Sequence, residues 1–142
     1  MQVIVDSREQ YPYAFGGAEV RKLDYGDYTL AGKENEIFIE RKASVAELAG
    51  NLTTKRFWRE LEGASSYTHK YLILEFSRED VAIYPRGSAI PKKLWRRIRT
   101  RGKYIFSCLN TIEERYGITV EWCQDRDGGF ARVNEILRGL NE

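Results

Sequence analysis

One apolar run, KYLILEF at residues 70–76, constrains the fold of this chain more than any other sequence feature. A strand with one face in water alternates apolar and polar side chains, whereas this run is almost continuously apolar. It therefore predicts a central strand that is buried on both faces. Because helical patterns precede and follow it, we expect helices to pack on a central sheet.

Four other segments have the composition of strands: QVIVD (residues 2–6), YTL (28–30), EIFIERK (36–42) and ITVEW (118–122). Within the third, a period of two places Ile37 and Ile39 on one side and Phe38 and Glu40 on the other. The stretch YPYAFGG at residues 11–17 is expected to form a turn or loop.

Helix starts are marked by two capping-box spacings, Ser44 with Glu47 and Ser77 with Asp80. A helix is also predicted over residues 54–67. Pro91 is expected to open a long helix through residue 116, with Gly102 as its weakest point, and a last helix covers residues 129–140. The order of these strands and helices predicts an α/β fold, with a central mixed β-sheet flanked by helices. No linker or repeat divides the chain, so residues 1–142 are expected to form a single domain.

Composition excludes several classes of protein. Apolar residues make up 42% of the 142, which is typical of a globular protein with a core. One histidine and two cysteines without CxxC spacing argue against a zinc site or a disulfide framework. No apolar run reaches the roughly 18 residues of a membrane helix, and the N-terminus lacks a signal-peptide layout. We therefore expect no membrane partner and an intracellular location, in the cytoplasm, nucleoid or nucleus.

The net charge of +2 conceals a strongly basic stretch, KKLWRRIRTRGK at residues 92–103, which contains no acid. Charge runs commonly form solvated faces, but a patch of this kind also attracts phosphate groups. The candidate nucleic-acid-binding residues in this basic segment are Lys92, Lys93, Arg96, Arg97, Arg99, Arg101 and Lys103.

Acidic residues stand at the ends of the predicted strands. Asp6 and Glu9 follow the first strand, Asp27 begins the second, and Glu40 ends the third. If adjacent strands pair, these ends converge at one edge of the sheet, which Glu75 could also reach. Mg²⁺ prefers carboxylate oxygens and water, and phosphodiester hydrolysis uses such a cation. Glu60, in a predicted helix, is expected to be a surface or ion-paired residue.

Glu40, Arg41 and Lys42 form an E-x-K triplet, and the period of two puts Glu40 and Lys42 on the same face of the strand. Asp27 and Glu40 would bind a metal ion through their side chains, helped by the backbone carbonyl of Arg41. Lys42 would orient the attacking water and support the charge of the transition state. Such a triplet also occurs by chance, and a solvated strand end is the alternative interpretation.

The motifs VDSRE, GDY and IERK, in this order, resemble the nuclease domain of the XPF/MUS/Hef family of structure-specific DNA endonucleases, and ELAGNLTTKRF extends the resemblance. The resemblance implies a restriction-endonuclease-like fold of the PD-(D/E)xK type. It implies Asp27 and Glu40 as metal ligands and Lys42 as the catalytic lysine. The supporting or phosphate-positioning residues that it implies are Asp6, Arg8, Glu9, Arg41 and Arg56.

This chain departs from the family pattern after the E-x-K triplet. The family has an aspartate four residues after the lysine, where this chain has Ala46, with Glu47 one place later. Glu47 is either a possible fourth acid of the site or the partner of Ser44 in a capping box, and the two roles are compatible.

The resemblance also implies a function and partners. We expect Mg²⁺ as cofactor, with Mn²⁺ as a substitute, and cleavage of DNA at branched, flap or junction structures in repair or recombination. A homodimer, or a separate DNA-binding or helicase partner, is also expected. The alternatives are a catalytically inactive DNA-binding or scaffolding subunit and a nuclease of broader specificity that includes RNA. Retention of Asp27, Glu40 and Lys42 favours an active enzyme.

Overall fold

The computed structural model describes residues 1–142, and a six-stranded mixed sheet forms its centre. The strands are β1 (Val3–Asp6), β2 (Glu19–Arg21), β3 (Tyr28–Leu30), β4 (Ile37–Lys42), β5 (His69–Leu74) and β6 (Thr119–Trp122). The helices are α1 (Val45–Leu52), α2 (Lys55–Ala64), α3 (Arg78–Ile83), α4 (Gly102–Tyr116) and α5 (Arg126–Leu140), and a 3₁₀ helix spans Lys92–Arg97. The strand order is β2-β1-β3-β4-β5-β6.

Strand directions bring the acid-bearing ends together. β3 is antiparallel to both β1 and β4, whereas β4, β5 and β6 are parallel. The C-terminal ends of β1, β4 and β5 therefore meet the start of β3 at one edge of the sheet. The amide of Asp6 donates to the carbonyl of Asp27 at 2.8 Å, and Lys42 pairs with Leu74. The predicted convergence of these strand ends is confirmed.

Helices cover both faces of the sheet. On one face, Phe38, Leu72 and Leu74 pack against apolar residues of α1, α2, α3 and α4. On the other face, Ile37, Ile39 and Ile73 pack against α5, and the aromatic side chains of the loop before β2 complete this layer. The split between Ile37 and Phe38 follows the predicted alternation, and the predicted α/β fold is confirmed. None of the helices combines the length and the apolar character that crossing a membrane requires.

The sequence prediction missed β2. This strand has only three residues, all exposed, and pairs in parallel with the edge of β1. An exposed edge strand buries neither face, so its sequence lacks the apolar alternation by which strands are recognised. The expectation of a loop at residues 11–17 is confirmed.

The helix predicted over residues 91–116 is confirmed only from Gly102 to Tyr116, as α4. Its first part was wrong, because the chain there forms the 3₁₀ helix and then an extended stretch. The guanidinium of Arg101 donates to the carbonyls of Trp95 and Ile98, which stabilises the extended stretch. A Cβ at Gly102 would lie 2.7 Å from the carbonyl oxygen of Val81, so the close packing of α4 on α3 requires glycine here. Repulsion among the basic side chains also disfavours a continuous helix.

Helix ends otherwise follow the capping signals. Ser44 accepts from the amide of Glu47, and Ser77 with Asp80 forms a complete capping box. The last helix begins three residues earlier than predicted, because Asp125 caps it by accepting from the amide of Gly128. The helix predicted over residues 54–67 is shorter at both ends, because α2 spans only Lys55–Ala64.

Candidate active site

A polar cleft of about 870 Å³ opens at the edge where the strand ends converge. Twenty residues line it, of which only four are hydrophobic, so it suits a polar or charged ligand. The residues predicted for the site that line the cleft are Asp6, Arg8, Glu9, Asp27, Glu40, Arg41, Lys42, Glu47 and Arg56.

Three hydrogen bonds to the backbone of other residues hold Asp27 in place. Its amide donates to the carbonyl of Ile39 at 2.7 Å, and its carbonyl accepts from the amide of Asp6 at 2.8 Å. Its Oδ2 accepts from the amide of Arg41 at 2.8 Å. Burial, opposed by this hydrogen bond and reinforced by the charge of Glu9, raises the pKa of Asp27 to about 7. The carboxyl group is therefore poised to bind either a proton or a cation near neutral pH.

Glu40 and Lys42 lie side by side on β4 and form an ion pair of 2.9 Å between Oε2 and Nζ. Both side chains are more than nine-tenths buried. Burial, followed by the charge of Asp27, raises the pKa of Glu40 well above its ordinary value. Burial alone would lower the pKa of Lys42, but the charge of Glu40 and its hydrogen bond raise it. Lys42 therefore stays protonated.

The side chain of Arg41 is bound in an ion-pair network and not free for a substrate. Its guanidinium lies 3.0 Å from Glu9 and 3.1 Å from Glu75, and all three side chains are more than nine-tenths buried. The hydroxyl of Tyr13 donates to Glu75 as well. Arg41 therefore ties β4 to β5 and to the segment after β1. Its contribution toward Asp27 comes from its backbone amide.

Asp6 and Arg8 also contact each other at the edge of the cleft. The carboxylate of Asp6 lies 2.9 Å from Nε of Arg8 and accepts from the amide of Leu23 at 2.8 Å. Arg8 donates in turn to the carbonyl of Leu23 at 2.9 Å. Both side chains thereby fix the segment that leads into the Asp27 turn, although half of the Arg8 side chain remains exposed.

Glu47 lies at the first turn of α1, and its carboxylate accepts from the amide of Ala43 at 2.8 Å. The expected capping box with Ser44 is thus only partly formed, because the reciprocal bond goes to the preceding residue. Glu47 is exposed to the cleft, and its charge contributes to the raised pKa of Lys42. The capping role and a position in the cleft coexist.

Two charged residues of α2 that line the cleft were not predicted to belong to it, Arg59 and Glu60. Oε1 of Glu60 accepts from the amide of Gly26 at 3.2 Å, so this acid is neither a simple surface residue nor ion-paired. Arg59 and Arg56 are exposed and have no acid within ion-pair distance. Helical periodicity alone could have found Arg59 and Glu60, which lie three and four residues after Arg56.

The basic segment 92–103 does not line the cleft. It nevertheless leads into α4, which begins against Val81 of α3. α3 follows the end of β5, beside the end of β4 that carries Lys42. The segment therefore lies toward the same edge of the sheet as the cleft but on the β5 side. Most of its charged side chains are exposed, whereas the Arg101 guanidinium binds backbone carbonyls.

A divalent cation would fit the donors of the cleft. No group of three or more acidic, histidine or cysteine side chains is arranged to hold a metal ion by itself. However, Mg²⁺ is commonly bound by one or two carboxylates, with water and phosphate oxygens supplying the rest. Asp27 and Glu40 provide two hard oxygen donors whose negative charges oppose each other. A cation would relieve that repulsion, and the backbone carbonyl of Arg41 is the third oxygen that the sequence predicted.

Comparison with known proteins places these features in a family. The sequence model of the ERCC4 domain matches residues 5–130. The structure of XPF from Aeropyrum pernix has a TM-score of 0.70 and 22% identity, and the match covers 99% of this chain and 65% of that chain. The same protein in complex with DNA gives a TM-score of 0.68 and 23% identity, covering 98% and 64%.

No curated protein sequence matches the chain significantly. The likeness to the two solved structures concerns the fold, and the chain spans about two thirds of the length of the XPF chain. The ERCC4 domain match, in contrast, extends over most of the sequence and includes the GDY and IERK motifs. This protein therefore belongs to the ERCC4 domain family, the family of the XPF nucleases.

Proposed function

We propose that this protein is a divalent-cation-dependent endonuclease that hydrolyses DNA phosphodiester bonds at branched, flap or junction structures. The observation that carries the proposal is the placement of Asp27, Glu40 and Lys42 together in one polar cleft. Family membership adds the expectation of DNA as substrate. The structure of Aeropyrum pernix XPF bound to DNA supports the same choice.

In this proposal Asp27, Glu40 and the carbonyl of Arg41 would hold Mg²⁺, with Mn²⁺ as a substitute. Bound there, the cation would neutralise charge on the phosphate and lower the pKa of a water molecule. The ammonium group of Lys42 stabilises negative charge that develops on the phosphate, because burial keeps it close to the site and its raised pKa keeps it protonated. Glu40 orients that ammonium group through the 2.9 Å ion pair.

Substrate binding is assigned to the exposed basic residues. The exposed side chains of Arg56 and Arg59 form no ion pair and line the cleft, where they can bind phosphates of a DNA strand that enters it. The basic segment 92–103 would bind the DNA backbone farther along the same edge of the sheet. Because contacts to phosphates carry no sequence information, we assign these residues affinity and not sequence specificity.

We propose that a homodimer, or a separate DNA-binding or helicase partner, contributes to the discrimination between DNA structures. Light scattering of the protein alone and with a flap DNA would measure the stoichiometry. A 1:1 monomeric complex that still discriminates flap from duplex would contradict this part of the proposal.

The test of the proposed function is a cleavage assay with labelled duplex, single-stranded, flap and four-way DNA, and with an RNA duplex. Each substrate is incubated with Mg²⁺, with Mn²⁺ and with EDTA. We expect cation-dependent cleavage, fastest on the branched or flap DNA. Cleavage that EDTA does not affect would contradict the metal-dependent mechanism. Tight DNA binding without cleavage would support the scaffolding alternative, and equal cleavage of RNA would support the broader specificity.

A further inference from the structure

Helix α2 contacts the turn at residues 24–27 at two points, one helical turn apart. Glu60 accepts the amide hydrogen of Gly26 through Oε1 at 3.2 Å. Three residues later, Gly63 leaves room for the ring of Tyr25, since a Cβ at Gly63 would lie 2.3 Å from that ring. The two α2 positions share one helical face. The turn that carries Asp27 is therefore held against α2 by a polar and an apolar contact.

The backbone of this turn allows few alternatives. Gly26 has a φ of +85°, and a Cβ there would lie 3.0 Å from the carbonyl oxygen of Ile39. Asp27 is bound through its amide to Ile39 and through its carbonyl to Asp6. The amide of Gly26 is the next donor along the chain, and the Glu60 carboxylate is its acceptor. Without that acceptor a buried donor would be left unsatisfied, which is energetically unfavourable.

Electrostatics alone does not explain an acid at position 60. No lysine or arginine lies within ion-pair distance of Glu60, and its charge opposes those of Asp27 and Glu40. The charge of Glu60 also attracts the guanidinium of Arg8, but the hydrogen bond to Gly26 is the direct contact that its carboxylate makes. The side chain is therefore placed to fix the turn despite the like charges nearby.

We propose that Glu60 is a positioning residue, which holds Asp27 in its orientation toward Glu40 and Lys42 by accepting the amide hydrogen of Gly26. It acts as a hydrogen-bond acceptor and not as a ligand of the cation. Because α2 also carries Arg56 and Arg59, one helix then joins the phosphate-binding side of the cleft to its acidic side. The inference deepens the proposed nuclease function and rests on it for its kinetic consequences only.

Two variants separate the hydrogen bond from the charge. Glu60→Gln keeps an acceptor at the same reach and removes the charge, whereas Glu60→Asp keeps the charge and shortens the side chain by one carbon. The exposed Glu62 of the same helix provides the matched controls, Glu62→Gln and Glu62→Asp. The loss of one hydrogen bond, about 1 kcal/mol, corresponds to roughly a fivefold effect.

The first readout is hydrogen exchange of the Gly26 amide, measured by NMR in the metal-free protein. We expect exchange about fivefold faster in Glu60→Asp and nearly unchanged in Glu60→Gln and in both Glu62 controls. Unchanged exchange in Glu60→Asp, or equally fast exchange in both Glu60 variants, would overturn the proposal. This measurement does not depend on catalysis, so it remains decisive even if the wild-type protein cleaves nothing and the proposed function fails.

The second readout is the steady-state kinetics of DNA cleavage with Mg²⁺. We expect Glu60→Asp to lower kcat about tenfold with little change in KM, because a small displacement of Asp27 affects the chemical step. Glu60→Gln should retain kcat to within about threefold, since the acceptor remains. A Glu60→Gln variant impaired as much as or more than Glu60→Asp would show that the charge is needed, and would overturn the positioning role in favour of cation binding.

Discussion

The ammonium group of Lys42 lies 2.9 Å from Oε2 of Glu40, and the two side chains share the face of β4 that looks into the cleft. Between them, Arg41 points to the other side of the strand and is bound by Glu9 and Glu75. The E-x-K triplet therefore has two separate uses. Its first and last residues face the candidate catalytic cleft, and its middle residue anchors the strand.

Substitutions of Glu40 and Lys42 are expected to have strongly non-additive effects on the free energy of unfolding. Lys42→Met leaves a buried carboxylate without its partner and should lower the free energy of unfolding by about 3 kcal/mol at pH 8. Adding Glu40→Gln removes the unpaired charge, so the double variant should recover at least about 1 kcal/mol. Urea denaturation of the wild type, both single variants and the double variant measures this coupling. Strictly additive effects would show that the pair does not interact.

Stability without metal should fall as the pH rises toward neutrality. The pKa of Asp27 is raised in the folded state to about 7 from an ordinary value of 3.8, and that of Glu40 is raised too. Between these two pKa values the folded state binds more protons than the unfolded chain. The free energy of unfolding therefore decreases as the pH rises from about 4 to about 7. In EDTA, the urea midpoint should decrease between pH 5 and pH 8.

Asp27→Asn is the control for this pH dependence, because it removes one of the titrating groups and should flatten the decrease. The same linkage predicts that the apparent affinity for Mn²⁺, measured by calorimetry, weakens as the pH falls below about 7, since a cation competes with the protons. A midpoint that rises from pH 5 to pH 8 in EDTA would contradict the raised pKa values.

The buried network around Arg41 should matter more for folding than the pair of Asp6 and Arg8. Arg41→Met leaves Glu9 and Glu75 without their cation and should destabilise the protein by about 3–5 kcal/mol. Arg8→Met removes a half-exposed partner and should cost about 1 kcal/mol. Denaturation curves of the two variants give the comparison. Equal losses would contradict the assignment of Arg41 as the anchor of the strand.

Tyr13→Phe is a milder test of the same network. It deletes only the hydroxyl that donates to Glu75, so the expected loss is about 1 kcal/mol. Binding of flap DNA in EDTA should remain unchanged, because Tyr13 does not line the cleft. A stability equal to that of the wild type would show that the hydroxyl adds nothing to the network.

Charge reversal in the basic segment is expected to weaken DNA binding. The triple variant Arg96→Glu, Arg97→Glu and Arg99→Glu should bind duplex DNA more weakly and reduce the salt slope by up to about 3. Fluorescence anisotropy at several salt concentrations measures both quantities. A matched control reverses three basic residues elsewhere on the surface, Lys22, Arg115 and Arg138, with the same change in net charge. Equal weakening in both triple variants would contradict a localised DNA contact.

The sequence predicted the parts of the structure that have a local signature. The alternation in EIFIERK predicted the two faces of β4, and the capping signals at Ser44 and Ser77 predicted the starts of α1 and α3. The acids that follow the strands predicted a shared edge, because strand direction determines which ends meet. These features depend on residues close together in the chain or on a regular period.

What the sequence did not predict depends on contacts between distant residues. Glu60 finds its partner Gly26 34 positions away, and Arg41 finds Glu75 at the same separation. The helix expected over residues 91–116 begins only at Gly102, which packs closely against the carbonyl of Val81 on another helix. Local propensity carries no information about such contacts, so tertiary packing overrides it.

The most direct test of the central claim is the single-turnover rate of flap-DNA cleavage in Mg²⁺, measured side by side for four proteins. These are the wild type, Asp27→Asn, Glu40→Gln and the exposed control Glu62→Gln. We expect losses of at least about 100-fold for Asp27→Asn and Glu40→Gln and a rate within about threefold of wild type for the control. Wild-type rates in Asp27→Asn and Glu40→Gln would contradict the central claim.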